Sequence, residues 1–175
     1  RTPDDLKGLK IRVVGSPLFN DTFTALGANP TQMSWADAQP ALSTGAVDGQ
    51  ENPLTIFTVA KLHTVGQKHV TLWHYVADPL IFAVSESVWT TFSPIDQELI
   101  RVAAKDAGAY GIELAREGML DGAKVAEIKA LGVEVTELTP EQVKMFQDAT
   151  RPIYEKWKAQ IGPELVELAE RSIRK

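Results

Sequence analysis

The segment LKIRVVGSPLFNDTFTALG, residues 9–27, predicts a strand followed directly by a helix. Its first part, residues 9–15, is short, rich in β-branched side chains and bounded by glycine, which is typical of a strand. At Ser16-Pro17, a serine side chain can cap free N–H groups, and proline loses no hydrogen bond at the first helical position. Gly27 suits the left-handed residue that often closes a helix.

Strand and helix alternate twice more after this segment. A weaker strand at residues 28–34 precedes a helix at residues 35–44, and VDGQEN at residues 47–52 precedes a helix over about 53–62. Because the connections are short and the order is β-α-β-α-β-α, we predict an α/β layer with largely parallel strands. Pro40 falls inside the second helix and is expected to kink it.

The remaining chain is predicted to be mainly helical. β-branched and aromatic runs predict further strands at residues 68–76, 79–85 and 132–138. Between residues 94 and 130 nothing stops a helix firmly, although Gly118 and Gly122 are expected bend points. Such a helix would be about 50 Å long, longer than a small domain is wide, and therefore needs a partner to lie across. Residues 140–160 and those after Gly162-Pro163 predict two C-terminal helices.

Composition narrows the function classes. The chain has 175 residues, a net charge of −5 and no cysteine. The absence of a basic stripe argues against nucleic acid and anionic membranes as partners, and the absence of cysteine excludes disulfides and thiol catalysis. No apolar run approaches the roughly 20 residues of a membrane-spanning helix. The chain begins with Arg1 instead of methionine, so we expect that it has been processed, trimmed or dissected.

The sequence carries no enzyme or metal signature. There is no G-x-S-x-G elbow, no P-loop lysine motif and no G-x-G-x-x-G. The three histidines, His63, His69 and His74, lack the spacing of zinc ligands. We therefore predict a protein without a catalytic residue, metal or cofactor.

Arg12 is the first candidate binding residue. It lies near the end of the first predicted strand, which turns through Gly15-Ser16 into a helix N-terminus. Ligands of open parallel sheets bind beyond the carboxyl ends of the strands, where helix N-termini favour anions. An arginine there can hold a carboxylate with two parallel hydrogen bonds. From position alone, a surface arginine in a solvated ion pair remains the alternative.

The polar run DGQEN, residues 48–52, is the second candidate. Asn52 either caps the helix that starts at Pro53 or turns to a ligand oxygen beside Arg12. Gln50 and Glu51 point to opposite faces of an extended strand, and a carboxylate beside a bound anion would be repulsive, so we assign Glu51 a structural role. Trp35 and the run Trp73-His74-Tyr75 are either pocket walls or core residues.

Three blocks of the sequence resemble one protein family. TPDDLKGLKIRV (residues 2–13), LGANPTQMSWADAQPALSTGAVDGQENPL (26–54) and GVEVTELTPEQ (132–142) are similar to the DctP-type substrate-binding proteins of TRAP (tripartite ATP-independent periplasmic) transporters. The resemblance implies a soluble periplasmic receptor that delivers a small organic acid to TRAP membrane permease subunits. Two other interpretations stay open, a ligand-sensing domain of a receptor and an α/β enzyme domain, and the identity of the acid is not predicted.

The resemblance also implies roles for single residues. Arg12 would grip the ligand carboxylate, and Asn52 would reach the same ligand. Trp35, where phenylalanine is more usual, would line the cleft. The segment 73–78 would tune specificity, so the predicted ligand-binding residues are completed by Gln50, Trp73 and Tyr75.

The implied fold is a periplasmic-binding-protein-like lobe with a long crossing helix and C-terminal helices. Residues 1–76 would form the α/β lobe with the ligand residues. Residues 77–138 would supply a crossing strand, the long helix and a strand that belong with a missing N-terminal lobe, so that the strand at 132–138 would lack its sheet partner. Residues 139–175 would pack on the lobes as helices. Without the missing lobe, we expect weak ligand binding and either self-association or rearrangement of this chain.

Overall fold

The computed structural model describes residues 1–76, 79–117, 119 and 122–173. Its strands are β1 (Lys10–Val13), β2 (Asn29–Gln32), β3 (Gly49–Gln50), β4 (His69–Leu72) and β5 (Glu134–Glu137). Its α-helices are α1 (Pro17–Ala25), α2 (Trp35–Thr44), α3 (Leu54–Val59), α4 (Glu86–Trp89), α5 (Pro94–Arg116), α6 (Ala123–Ala130), α7 (Pro140–Ile161) and α8 (Pro163–Ile173). Short 3-10 turns cover Pro3–Leu6 and Leu62–Val65.

The first part of the chain folds as the alternating pattern predicts. The first three strands form one parallel sheet in the order β2-β1-β3, with Arg12 of β1 in register with Thr31 of β2 and Gln50 of β3. Each strand is followed by a helix. Parallel neighbours cannot be joined by a tight turn, so a crossover segment, usually a helix, must carry the chain back to the edge where the next strand begins. The predicted parallel α/β layer is confirmed.

Two buried clusters support this layer. One lies between the sheet and helices α1 and α7 and consists of Ile11, Val13, Phe23, Leu26, Ala28 and Phe146. The other lies among α2, α3 and α6 and consists of Leu42, Val47, Phe57, Leu62, Ile128 and Val133. We call them the first and second core. The sheet with Arg12 therefore has apolar packing beneath it from distant parts of the sequence.

The helix caps agree with the local sequence signals. The hydroxyls of Ser34 and Ser93 accept hydrogen bonds from the backbone of the third helical residue, and Thr139 forms a capping box with Gln142. Gly45 closes α2 with a φ of 71°. Pro40 lies inside α2, and the kink expected there stays a prediction.

Two predicted strands differ from the structure. The strand predicted at residues 68–76 ends at Leu72, and His74 has a positive φ of 51° that leaves the β region. The strand predicted at residues 79–85 is wrong, because this segment has no regular secondary structure. Its Leu80, Ile81 and Phe82 side chains are 97%, 85% and 75% exposed. A strand needs a neighbour, and no strand in the described part of the chain pairs with this one.

The long helix is divided, and β5 has a partner. α5 ends at Arg116 and α6 begins after Gly122, whose φ of 76° breaks the helix where a bend is expected. Gly118 lies outside the described residues. β5 pairs in parallel with β4 along its whole length, so the expectation that residues 132–138 lack a sheet partner is wrong. Hydrophobic Val70 and Val135 face the second core from these two strands.

Several large apolar side chains remain exposed in the segment before α4 and on α5. We call the following residues the α5 face: Leu80, Ile81, Phe82, Ile95, Leu99, Val102, Tyr110 and Ile112. Single exposed apolar side chains are normal, whereas contiguous apolar patches are typical of surfaces that bind another protein part. Within the described residues, the helices are too short or too polar to cross a membrane.

Asp21 ties α1 to α7 and should make stability depend on pH. Its Oδ2 atom accepts hydrogen bonds from Lys156 Nζ at 2.6 Å and Trp157 Nε1 at 2.9 Å. These two hydrogen bonds hold the pKa of Asp21 below its ordinary value. Their stabilising effect is therefore present above the unfolded-state pKa and is lost as pH falls through the lower folded-state pKa. We expect Asp21→Asn to lower the Tm near neutral pH and to flatten the fall in Tm between about pH 5 and pH 3.

Thermal melts from acid to neutral pH check this expectation. Asp148→Asn is the matched control, because the Asp148 carboxylate is exposed and pairs with Lys144 within α7 alone and should contribute little. A Tm–pH curve for Asp21→Asn that overlays the parent curve would contradict the role assigned to this carboxylate.

Candidate carboxylate site

Three strand ends and three helix starts meet at one edge of the sheet. β1 leads into α1, β2 leads into α2 through Met33 and Ser34, and β3 leads into α3 through residues 51–53. The strands are parallel, so all three connections lie at the carboxyl edge. Backbone N–H groups at helix starts make such an edge favourable for an anion.

Arg12 is buried at this edge. Its side chain is on the central strand and the residue is only 5% exposed. Nε and Nη2 donate hydrogen bonds to the Met33 carbonyl oxygen at 3.2 and 2.9 Å, so Nη1 is the guanidinium nitrogen that this contact does not use. The guanidinium carbon lies 5.5 Å from the centre of the Trp35 ring, within cation–π range. The Met33 carbonyl and the Trp35 ring therefore hold the Arg12 guanidinium in one place.

Burial lowers the pKa of the Arg12 guanidinium from its ordinary value, and the negative charge of Glu51 acts in the opposite direction. An arginine remains protonated at physiological pH despite such a shift. Arg12 is thus a charged group with little of its own surface in water, at an edge where the neighbouring Trp35 is 39% exposed. The alternative of a solvated surface arginine does not fit this burial.

Gln50 and Asn52 follow the neighbouring strand end. Gln50 is in register with Arg12, and Asn52 Nδ2 donates a hydrogen bond to Gln50 Oε1. Both residues are half-buried. Among the described hydrogen bonds, none runs from the α3 backbone to the Asn52 side chain, so capping does not account for its orientation. Gln50 and Asn52 are thus brought to the same edge as Arg12 and Trp35.

Trp73 and Tyr75 lie against the first core. Both are half-buried and pack against that core. Their rings stack with centroids 4.2 Å apart and an interplanar angle of 14°. The Tyr75 hydroxyl donates a hydrogen bond to Glu51 Oε2 at 2.6 Å. Direct ligand contact by Trp73 and Tyr75 stays a prediction, and of the segment 73–78 the last two residues lie outside the described residues.

Two contributors to the site were missed in the sequence. The Met33 carbonyl oxygen holds Arg12, and a backbone atom leaves no side-chain signal. The Tyr75–Glu51 hydrogen bond joins residues far apart in the chain, so the sequence did not predict it. A glutamate between Gln50 and Asn52 nevertheless indicates that some other side chain must bind its carboxylate.

Other surface features do not form a competing site. Shallow depressions on α5 are lined by Pro94, Ile95, Leu99 and Val102, and by Tyr110 and Leu114 with charged neighbours. They lie along α5, partly on the α5 face, and contain neither Arg12 nor Asn52. In the part of the chain that the structure describes, no three histidine, aspartate or glutamate side chains are grouped as a metal ion requires.

Comparisons with known proteins agree on one family. The model of the bacterial extracellular solute-binding proteins, family 7 (DctP), matches residues 1–160. The 2,3-diketo-L-gulonate-binding periplasmic protein of Escherichia coli is 37% identical over 152 residues, which are 85% of this chain and 44% of that protein. The sialic acid-binding periplasmic protein of Vibrio cholerae is 32% identical over 165 residues, 93% of this chain and 49% of that protein.

A solved structure shows the same fold. The TRAP periplasmic solute-binding protein of Ralstonia eutropha, crystallised with bound (S)-2-acetolactate, is 56% identical, with a TM-score of 0.93 over 99% of this chain and 56% of that protein. The predicted periplasmic-binding-protein-like α/β fold is thereby confirmed. The chain spans about half the length of the curated relatives that it matches.

Proposed function

The chain belongs to the DctP family of bacterial extracellular solute-binding proteins, and we propose that it carries the carboxylate-holding half of a receptor for a small organic acid. The family and its structural neighbours are solute-binding receptors and not enzymes. This favours a binding protein over the alternative of an α/β enzyme domain. The periplasmic location implied by the resemblance is confirmed by the family as well.

The observation that carries the proposal is the burial of Arg12 at the carboxyl edge. A buried guanidinium is costly unless hydrogen bonds and charges offset the loss of water. Here Nε and Nη2 are held by a single carbonyl, which leaves the fork pre-oriented towards the edge where α2 and α3 begin. A ligand carboxylate placed there would meet Arg12, the Asn52 amide and the helix N-termini together. Trp35 would supply the apolar wall.

The relative from Ralstonia eutropha supports a short acid as the ligand. It holds (S)-2-acetolactate, a small branched hydroxy-keto acid. The other two relatives carry the names of larger sugar acids, so the shared feature is the carboxylate. We propose that this carboxylate binds at Arg12 and that the remainder of the ligand meets residues supplied by the other half of the receptor.

The domain division is part of the proposal. Residues 1–76 with their ligand residues, together with β5 and α6 packed on them, form one lobe. We propose that an N-terminal lobe of the complete receptor covers the α5 face and the segment 79–85, and that residues 139–173 support the lobes as helices. Delivery of the acid to TRAP permease subunits follows from the family and belongs to the complete protein.

Calorimetry on the full-length protein tests the function. We expect saturable one-to-one binding of at least one of (S)-2-acetolactate, succinate and galacturonate, which differ in size and charge, and weak or absent binding of the corresponding methyl esters. Native mass spectrometry of the purified protein should show a co-purified acid. Equal affinity for an acid and its ester would contradict a site built around Arg12.

A further inference from the structure

Tyr75 connects the segment after β4 to the end of β3. Its hydroxyl donates a hydrogen bond to Glu51 Oε2 at 2.6 Å, a length typical of strong hydroxyl–carboxylate contacts. Its ring stacks on Trp73 and meets Phe19 and Phe23 edge to face, with centroids 6.3 and 6.1 Å away. Because three aromatic side chains surround the ring, packing fixes the direction in which the hydroxyl points.

Glu51 is the carboxylate of the DGQEN run that directly follows β3 next to the proposed anion site, whereas Asp48 precedes β3 and accepts a hydrogen bond from the Lys10 backbone N–H. Glu51 lies between Gln50, which is in register with Arg12, and Asn52. The charge of Glu51 already acts on Arg12, so a Glu51 carboxylate that turned further towards the site would repel an anionic ligand. In the structure the Glu51 carboxylate is directed to Tyr75, which packs against the first core.

We propose that Tyr75 is a positioning residue of the carboxylate site, which acts through Glu51 and does not need to touch the ligand. By holding the Glu51 carboxylate on the core side of β3, Tyr75 keeps its negative charge away from an acid bound at Arg12. The same hydrogen bond steadies the backbone that carries Asn52. This inference rests on the proposed function and adds to it a cause for anion selectivity.

The test compares Tyr75→Phe with the parent full-length protein by calorimetry. The probes are (S)-2-acetolactate and its methyl ester, with succinate and its dimethyl ester as a second pair. Phenylalanine keeps the ring and its packing but removes the hydroxyl that donates to the Glu51 carboxylate. We expect affinity for the acids to fall about tenfold, which corresponds to about 1.4 kcal/mol, and affinity for the esters to change less than about twofold, because an ester carries no charge to repel.

Tyr154→Phe is the matched control. The Tyr154 hydroxyl also donates to a glutamate, Glu170, but between α7 and α8. Loss of that bond should leave both acid and ester affinities unchanged. A general structural effect of losing a tyrosine–glutamate bond would instead appear in both variants.

Glu51→Gln separates positioning from stability. A neutral amide cannot repel the ligand, so we expect Glu51→Gln to restore most of the acid affinity lost in Tyr75→Phe, and the two changes to be strongly non-additive. Parallel losses for acid and ester, or no recovery in the double variant, would overturn the inference and leave the proposed function standing. If the parent protein binds none of (S)-2-acetolactate, succinate and galacturonate, or binds acid and ester equally, both the inference and the proposed function are overturned.

Discussion

Replacing Arg12 by alanine in the full-length protein should reduce affinity for its acid by about a hundredfold or more. A hydrogen bond to a charged group contributes roughly 1.5–3 kcal/mol net, and two parallel bonds between a guanidinium and a carboxylate add directional selectivity. Removing one partner inside a closed site also leaves the other charge unpaired, which costs about 3–5 kcal/mol. Each factor of ten in affinity corresponds to about 1.4 kcal/mol.

Arg12→Lys is the informative companion. It keeps the positive charge but lacks the planar fork that reaches the Met33 carbonyl and the ligand together. We expect about a tenfold loss, intermediate between the parent and Arg12→Ala. Calorimetry with (S)-2-acetolactate and its methyl ester provides the measurement, and thermal melts of each variant show whether it is folded. Normal acid binding by folded Arg12→Ala would mean that the carboxylate lies elsewhere.

The parts of the fold that depend on neighbouring residues were predictable. Helix starts were predictable at Ser34, Ser93 and Thr139, because a capping side chain accepts hydrogen bonds from N–H groups only two or three residues away. A helix end at Gly45 and a helix break at Gly122 were predictable, because few residues other than glycine adopt a positive φ without strain. The parallel layer followed from the alternation of such signals, which needs no knowledge of distant contacts.

Strand pairing was less predictable because it depends on residues that are far apart. The run at 79–85 has strand composition, yet its Ile81 and Phe82 side chains are exposed and no described strand pairs with it. Conversely, β5 finds its partner in β4 more than sixty residues earlier. β-propensity describes how well a side chain fits a sheet and not whether a sheet is present.

The site was predictable to the same limited extent. The strand-end positions of Arg12, Gln50 and Asn52 follow from topology, because parallel strands share a carboxyl edge. The depth of Arg12 and its acceptor, the Met33 carbonyl, depend on how α2 lies against the sheet. Tyr75 stacks on Trp73 across His74, whose φ is positive; a positive φ is uncommon for any residue other than glycine, so the strand-like composition of this run did not predict it.

Residues 1–175 alone should bind the acid about a hundredfold more weakly than the full-length protein. Small-molecule sites usually enclose about 70–90% of the ligand surface, whereas Trp35 at this edge is 39% exposed. A ligand carboxylate bound at this edge of residues 1–175 therefore stays in contact with water. Two charges 4 Å apart attract by about 1 kcal/mol in water and about 4 kcal/mol at the effective dielectric constant of a partly enclosed site. The difference of about 3 kcal/mol corresponds to about a hundredfold in affinity.

Salt dependence distinguishes this cause from a damaged site. If water screens the contact, binding by residues 1–175 should weaken markedly as ionic strength rises, while binding by the enclosed site of the full-length protein should change less. The calorimetry should use concentrations at which light scattering shows monomers, because the exposed Leu80, Ile81 and Phe82 of the α5 face favour self-association. Arg12→Ala in the short chain supplies the baseline without a carboxylate contact. Equal affinity of the short chain and the full-length protein would show that residues 1–175 enclose the acid by themselves, and the proposal of a second lobe across the site would then fail.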